Sequence, residues 1–357
     1  MKKQTQKAGD NSNQVSVAGD LVIQQSSLTV KDINDIVELH VSKVKAELSQ
    51  EASNIAVGRV TEFEGTLINR LNAEGLIDIL RNPGYQFNLA DASRAVASSD
   101  EEDTEGFLVE LLVGRATYPD NQSVKIAIAK ATQIADRLNK DTLNGLTAAW
   151  VGTYLTPSAQ GFEHKFTGFI ATYVPFISNG LPKGKLWQQD LDALDLIRIE
   201  PGIIARSSFI DVAKNQFVEF LSHGVNEKEQ SELLTKLADK YAEITKLMSK
   251  HPLKEGFLIL LAKNKSDFES KLQLLNISMD DEDVVSLINM NQFDSHDGVA
   301  VNTLTEKLNS ISRFSEYIDW WNNLNAFRFS SPGQVIGYLN ARRYIPINNT
   351  ISDMFKE

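Results

Sequence analysis

Val15, Val17, Leu21 and Ile23 all carry odd numbers, so a strand–turn–strand reading sets them on one face. They follow two copies of Ala-Gly-Asp, at Ala8–Asp10 and Ala18–Asp20, whose Gly-Asp corners suit turns. The pattern then changes period. After Leu28-Thr29-Val30-Lys31-Asp32, with Thr29 or Asp32 as N-cap, a stripe runs through Ile33, Val37, His40, Val44, Leu48, Glu51 and Ile55 in steps of four and three. That is close to an eleven-residue repeat, which gives a nearly straight or slightly right-handed coil. Val60, Phe63, Leu67 and Leu71 continue the helical pattern, and no proline interrupts it. The segment reads either as two successive amphipathic helices or as one oligomerising coiled-coil stalk.

Beyond the stalk, helical periodicity predicts a short element over 75–83 and helices over 85–97, 106–115, 123–138 and 140–155, an antiparallel array. Glycine and proline thicken between Gly161 and Gly202, which predicts a connector. Two long helices are expected next, over 207–221 and 227–249, the second capped by Asn226 and stopped at Lys250-His251-Pro252. The last hundred residues predict a helix opened by Asp280-Asp281-Glu282-Asp283, a helix over 303–323, a strand and turn over 324–333, and a helix over 334–343. The expected fold class is mainly α, with a short N-terminal β-repeat, a long helix, a helical array and a C-terminal mixed α/β, winged-helix-like part. The expected boundaries are 1–27, 28–74, 75–157, 158–205 and 206–357.

Composition narrows the function more than the fold. The 357 residues include no cysteine, which excludes disulfides, thiolate metal sites and a cysteine nucleophile. A net charge of −11 argues against broad attraction to nucleic acid or anionic lipid. No apolar run reaches the roughly 20 residues of a spanning helix, and the lysine-bearing N-terminus lacks a signal peptide's apolar core, so a cytoplasmic location is expected.

No nucleophile elbow, phosphate-binding glycine loop or dinucleotide fingerprint occurs, and no two histidines stand in zincin spacing. No catalytic residue is singled out and no cofactor is implied. Asp294, His296 and Asp297 form the one metal-like grouping, although a polar surface loop has the same composition. The acidic runs 100–105 and 280–283 lack EF-hand spacing and read as a solvated loop and a helix start. Arg342, Arg343 and Tyr344 follow the wing-like strand and could contact phosphate or stack on bases. Tandem Trp320 and Trp321 cannot face the same way on a helix, which places one in the core and leaves the other for a contact surface. The apolar stretch from Phe166 to Pro182 reads as a packed interdomain segment, with a membrane-touching loop as the alternative.

Several segments together resemble a family of uncharacterised bacterial proteins. They are Gly9-Asp10-Asn11-Ser12 with its second Ala-Gly-Asp, the helix opening 28–32, Leu76-Ile77-Asp78, Phe107 to Arg115, and the closing Phe329-Ser330-Ser331-Pro332-Gly333-Gln334-Val335-Ile336-Gly337. Ser330 and Ser331 depart from the Leu-Thr form of that ending. The resemblance implies no reaction. Similar leaders recur in proteins associated with bacterial defence against phage, which implies a setting.

A lone strand pair is marginal in water, so a β-repeat joined to a long helix is best suited to pairing with other copies. The first expectation is therefore a non-enzymatic homo-oligomer acting through protein contacts. Val15, Val17, Leu21, Ile23, Ile33, Val37, Val44 and Leu48 would form its assembly face. The partners expected are other copies and possibly another protein. The alternatives are a nucleic-acid binder using residues 342–344 and a metal-dependent enzyme at 294–297.

Overall fold

The computed structural model describes residues 50–101, 103–156, 159, 161–200, 207–293 and 296–347, together with Asp35, Glu38 and Ser42. The eight assembly-face residues lie outside these.

The chain enters through α1 (Gln50–Ala73), which buries Ala56, Val60, Phe63, Leu67 and Leu71 at helical spacing. A 3-10 turn (Ile77–Arg81) leads to α2 (Pro83–Ser98), α3 (Thr104–Thr117), α4 (Gln122–Ile134) and α5 (Lys140–Tyr154). Asparagine starts three of these helices. Asn82, Asn121 and Asn139 accept the N–H of Tyr85, Val124 and Thr142 at 3.1, 3.0 and 2.8 Å. Both α2 and α3 pack on α1, and α4 packs on both of them.

The stretch expected as a connector is itself structured. It holds α6 (Phe162–Ser178), α7 (Leu186–Ala193) and β1 (Ile197–Ile199). Gly161, at φ 77°, turns the chain into α6, and Pro175 in that helix's last turn withholds a donor from the carbonyl of Ala171. Phe169, Tyr173 and Phe176 are buried there, as a packed segment requires. Among the described residues no helix is long and apolar enough to cross a membrane.

The helix expected over 207–221 shortens to α8 (Phe209–Gln216), and the one expected over 227–249 does not form as a unit. Asn226 accepts from the N–H groups of Lys228 and Glu229, closing a turn instead of capping a helix. Next come α9 (Ser231–Lys240) and a 3-10 stretch. The chain then extends into β3 (Met248–Lys250), following β2 (Val225–Asn226) and preceding β4 (Phe257–Leu260). Pairing decides the outcome: β4 lies antiparallel between β2 and β3, with Met248 opposite Leu260. With α9, α10 (Lys265–Leu274) and α11 (Asp281–Asn291), this sheet encloses a small core of its own around Leu237, Leu260, Phe268 and Leu287.

The chain then rejoins the main core. A left-handed Arg313 (φ 61°) splits the helix expected over 303–323 into α12 (Gly298–Ser310) and α13 (Phe314–Asn322). Strand β5 (Phe327–Phe329) forms as anticipated and takes β1 as its antiparallel partner, Ile197 opposite Phe329. Ser330 caps α14 (Ser331–Arg342), which returns to pack on α3, α4 and α5. Close approach there depends on Gly337, because a Cβ at that position would stand 2.5 Å from Trp150 Cγ. One continuous core runs from Phe63 to Ile345.

Candidate functional site: the His223–Asp297–Lys254 cluster

Three short segments converge where the small lobe meets the main core. The first is Leu221–Gly224, which turns at Gly224 (φ 77°) into β2. A side chain at Gly224 would collide with the Leu258 carbonyl, 2.6 Å from its Cβ. The second is the β3–β4 connection, and the third is the start of α12.

Asp297 joins them. Its N–H donates to Leu221 O at 2.7 Å, and its Oδ1 caps α12 by accepting from Val299 and Ala300 at 2.9 and 3.0 Å. Its Oδ2 accepts from His223 Nδ1 at 2.8 Å and Lys254 Nζ at 2.9 Å. Lys254 Nζ also donates to His223 O at 2.7 Å and lies 3.9 Å from the centroid of the Phe257 ring. Burial raises the Asp297 pKa, but the Lys254 ammonium, the Ala300 N–H and His223 outweigh it and bring the carboxyl to about 2.

The two histidines have different tasks. His251 is buried, with Nε2 donating to Ser222 O at 3.1 Å and Nδ1 accepting from Leu253 N–H at 3.1 Å. That pattern requires the neutral ring, and burial lowers its pKa accordingly. His223 keeps 42% of its side chain exposed while Asp297 and Lys254 keep 9% and 6%. Its Nδ1 faces the Asp297 carboxylate. A carboxylate-oriented imidazole can relay a proton. The same contacts also clamp the two cores together.

Of the metal-like grouping, Asp297 is engaged in this cluster, His296 is exposed and Asp294 lies outside the described residues. Among the described residues no group of three histidine or carboxylate side chains could hold a metal ion. In the proposed nucleic-acid triplet, Arg343 and Tyr344 both turn to Asp103: Arg343 Nη1 pairs with it at 2.9 Å and the Tyr344 hydroxyl donates at 3.2 Å. Arg342 lies over the Tyr338 ring, 5.8 Å from its centroid. Trp321 is buried and donates from Nε1 to Ser207 O at 3.0 Å. Trp320 is half-buried, stacked on Trp187, and lines an open cleft with Lys183, Lys185 and Arg313.

Sequence reasoning did not single out His223 or Lys254. Asp297-Gly298 before an apolar helix is a legible cap, but partners 74 and 43 residues away leave no local trace. Glu64 was more accessible to such reasoning, since it adjoins Phe63 and falls three residues before Leu67 on the core face of α1. It is 3% exposed, and Ser93 Oγ donates to it at 3.0 Å.

These features define a mainly α-helical protein with a small antiparallel lobe clamped to its main core. A family model described only as a “-like” group matches residues 27–354, and the chain belongs to that family, which is uncharacterised. No curated protein and no solved structure matches the chain.

Proposed function

We propose that this is a non-enzymatic homo-oligomer that acts through protein contacts, assembled by residues 1–55, with the helical body recognising a further protein. The carrying observation is Ile55. It ends the stripe that begins at Ile33, yet it is 54% exposed, while the adjacent Ala56 opens the buried row of α1. Adjacent helical positions differ by about 100°. Ile55 and the buried row therefore belong to different faces. Extending the stripe past Ile55 by four and seven residues reaches Arg59 and Glu62, both polar. An apolar sequence stripe that ends on an exposed isoleucine is suited to another copy of itself.

Light scattering of the full chain tests this. The expected result is a multimer that Leu48→Glu with Ile55→Glu converts to monomers of unchanged helical content; a monomeric wild type at tens of micromolar would sink it. The Gly-Asp-Asn-Ser leader favours defence against phage in the bacterial cytoplasm as the setting. Plaque counts on cells expressing the wild type or this double variant test that role, and equal plating on both would remove it.

A further inference from the structure

We infer that the N-terminal end of α2, with Arg115 beneath it, is a binding site for a phosphate group. Arg115 is only 6% exposed, and its Nη1 has no hydrogen-bond partner among the described residues. Tyr85 is wholly buried beside it, its hydroxyl likewise without a partner, and the two groups interact electrostatically. The nearest buried carboxylate on the same helix, Glu110, is held by Arg70 at 3.2 Å. Lying in the last turn of α3 suits the sign of the Arg115 charge but supplies no acceptor for Nη1. A buried guanidinium N–H and a buried hydroxyl, both lacking acceptors, form an unusual pair, because each costs free energy until an acceptor arrives.

The other half of the site is backbone. α2 is a 16-residue helix with Pro83 in its first turn and its Tyr85 N–H capped by Asn82. The Gly84 N–H stands too early in the helix to have an intrahelical acceptor, and Gly84 is exposed. Arg115 Nη2 lies 4.0 Å from where a Cβ on Gly84 would be. The guanidinium therefore approaches a helix N-terminus, where two positive poles lie close together and the neutral Asn82 Oδ1, 3.2 Å from that Cβ position, is the acceptor beside them. A phosphate oxygen pair seated on the guanidinium fork would resolve both, taking the Gly84 N–H and the Tyr85 hydroxyl as further donors. Phe87, three residues on and 75% exposed, offers an aromatic face one turn along the same helix. The phosphate could be free or carried on a nucleotide.

Titration of the full-length protein with inorganic phosphate or adenosine monophosphate, at constant ionic strength, separates these sources. The wild type is expected to gain thermal stability saturably with phosphate and not with chloride. Arg115→Met should weaken the response at least about a hundredfold and Tyr85→Phe about three- to tenfold. Gly84→Ala keeps the fold independent of the outcome at Arg115: alanine favours the helix, yet its methyl narrows the opening, so phosphate affinity should fall while the ligand-free protein stays folded. Tighter binding of the nucleotide, with the difference lost in Phe87→Ala, would assign a carried phosphate; equal binding would assign the free ion. Absence of a phosphate-specific shift in the wild type, or an unchanged response in both Gly84→Ala and Arg115→Met, would overturn the site.

Discussion

Asp297 concentrates four contacts in one carboxylate, so it shows how much a single residue can decide. Replacing it with alanine leaves Lys254 buried without a counter-charge and removes the α12 cap. Loss of a buried ion-pair partner costs about 3–5 kcal/mol, so Asp297→Ala should lower stability by at least that range in urea titrations. Because its native pKa is depressed to about 2, the stabilisation is complete above the ordinary carboxylate range and fades as pH falls from about 4 towards 2. Glu64 behaves oppositely. Burial raises its pKa to about 7, against the smaller opposing pull of the Ser93 hydrogen bond. Its contribution is complete below about pH 4.5 and is lost as pH rises to about 7. Glu64→Gln should therefore be more stable than the wild type at pH 8, by at most about 3 kcal/mol, and the gap should close at pH 4.5. An equal offset at both pH values would show that the Glu64 carboxyl titrates alike in the folded and unfolded chain.

Among the elements, α14 tests whether packing or propensity controls a helix. Alanine favours a helix interior over glycine by about 1 kcal/mol, but at Gly337 its methyl would meet Trp150. The clash should win, with Gly337→Ala destabilising by about 1–3 kcal/mol and altering the near-ultraviolet signal of the buried indole. Local sequence located most helices of the first bundle from apolar spacing alone, and the caps at Asn121 and Asn139 agree with it. It failed over 227–249, where Ile244 and Leu247 keep an apolar rhythm that a helix or a 3-10-to-strand passage can both satisfy. The decision there came from Phe257–Leu260, which needed strands on both edges. The stretch 158–205 misled for a related reason: Gly161, Gly180 and Gly184 flank helices, while Gly168 and Pro175 are tolerated within α6, whose apolar face is buried.

For the molecule as a whole, the two cores set different local stabilities. The small lobe relies on a few large buried side chains, whereas the main core spans almost the entire described chain. Hydrogen exchange should accordingly find amides of β2, β3 and β4 opening at lower free energy than those of α4 and α5, and Asp297→Ala should widen that gap. Uniform exchange across both would mean that the lobes unfold together.

The sequence by itself determined the helical class, the buried row of α1 and the absence of thiol chemistry, since each rests on spacing or residue type within a few turns. Tertiary structure alone decided the rest. It placed β5 against β1, returned α14 to the first bundle, drew His223 and Lys254 onto Asp297, and left Arg115 and Tyr85 buried without acceptors. Those outcomes depend on which distant surfaces exclude water together, and no local periodicity encodes that choice.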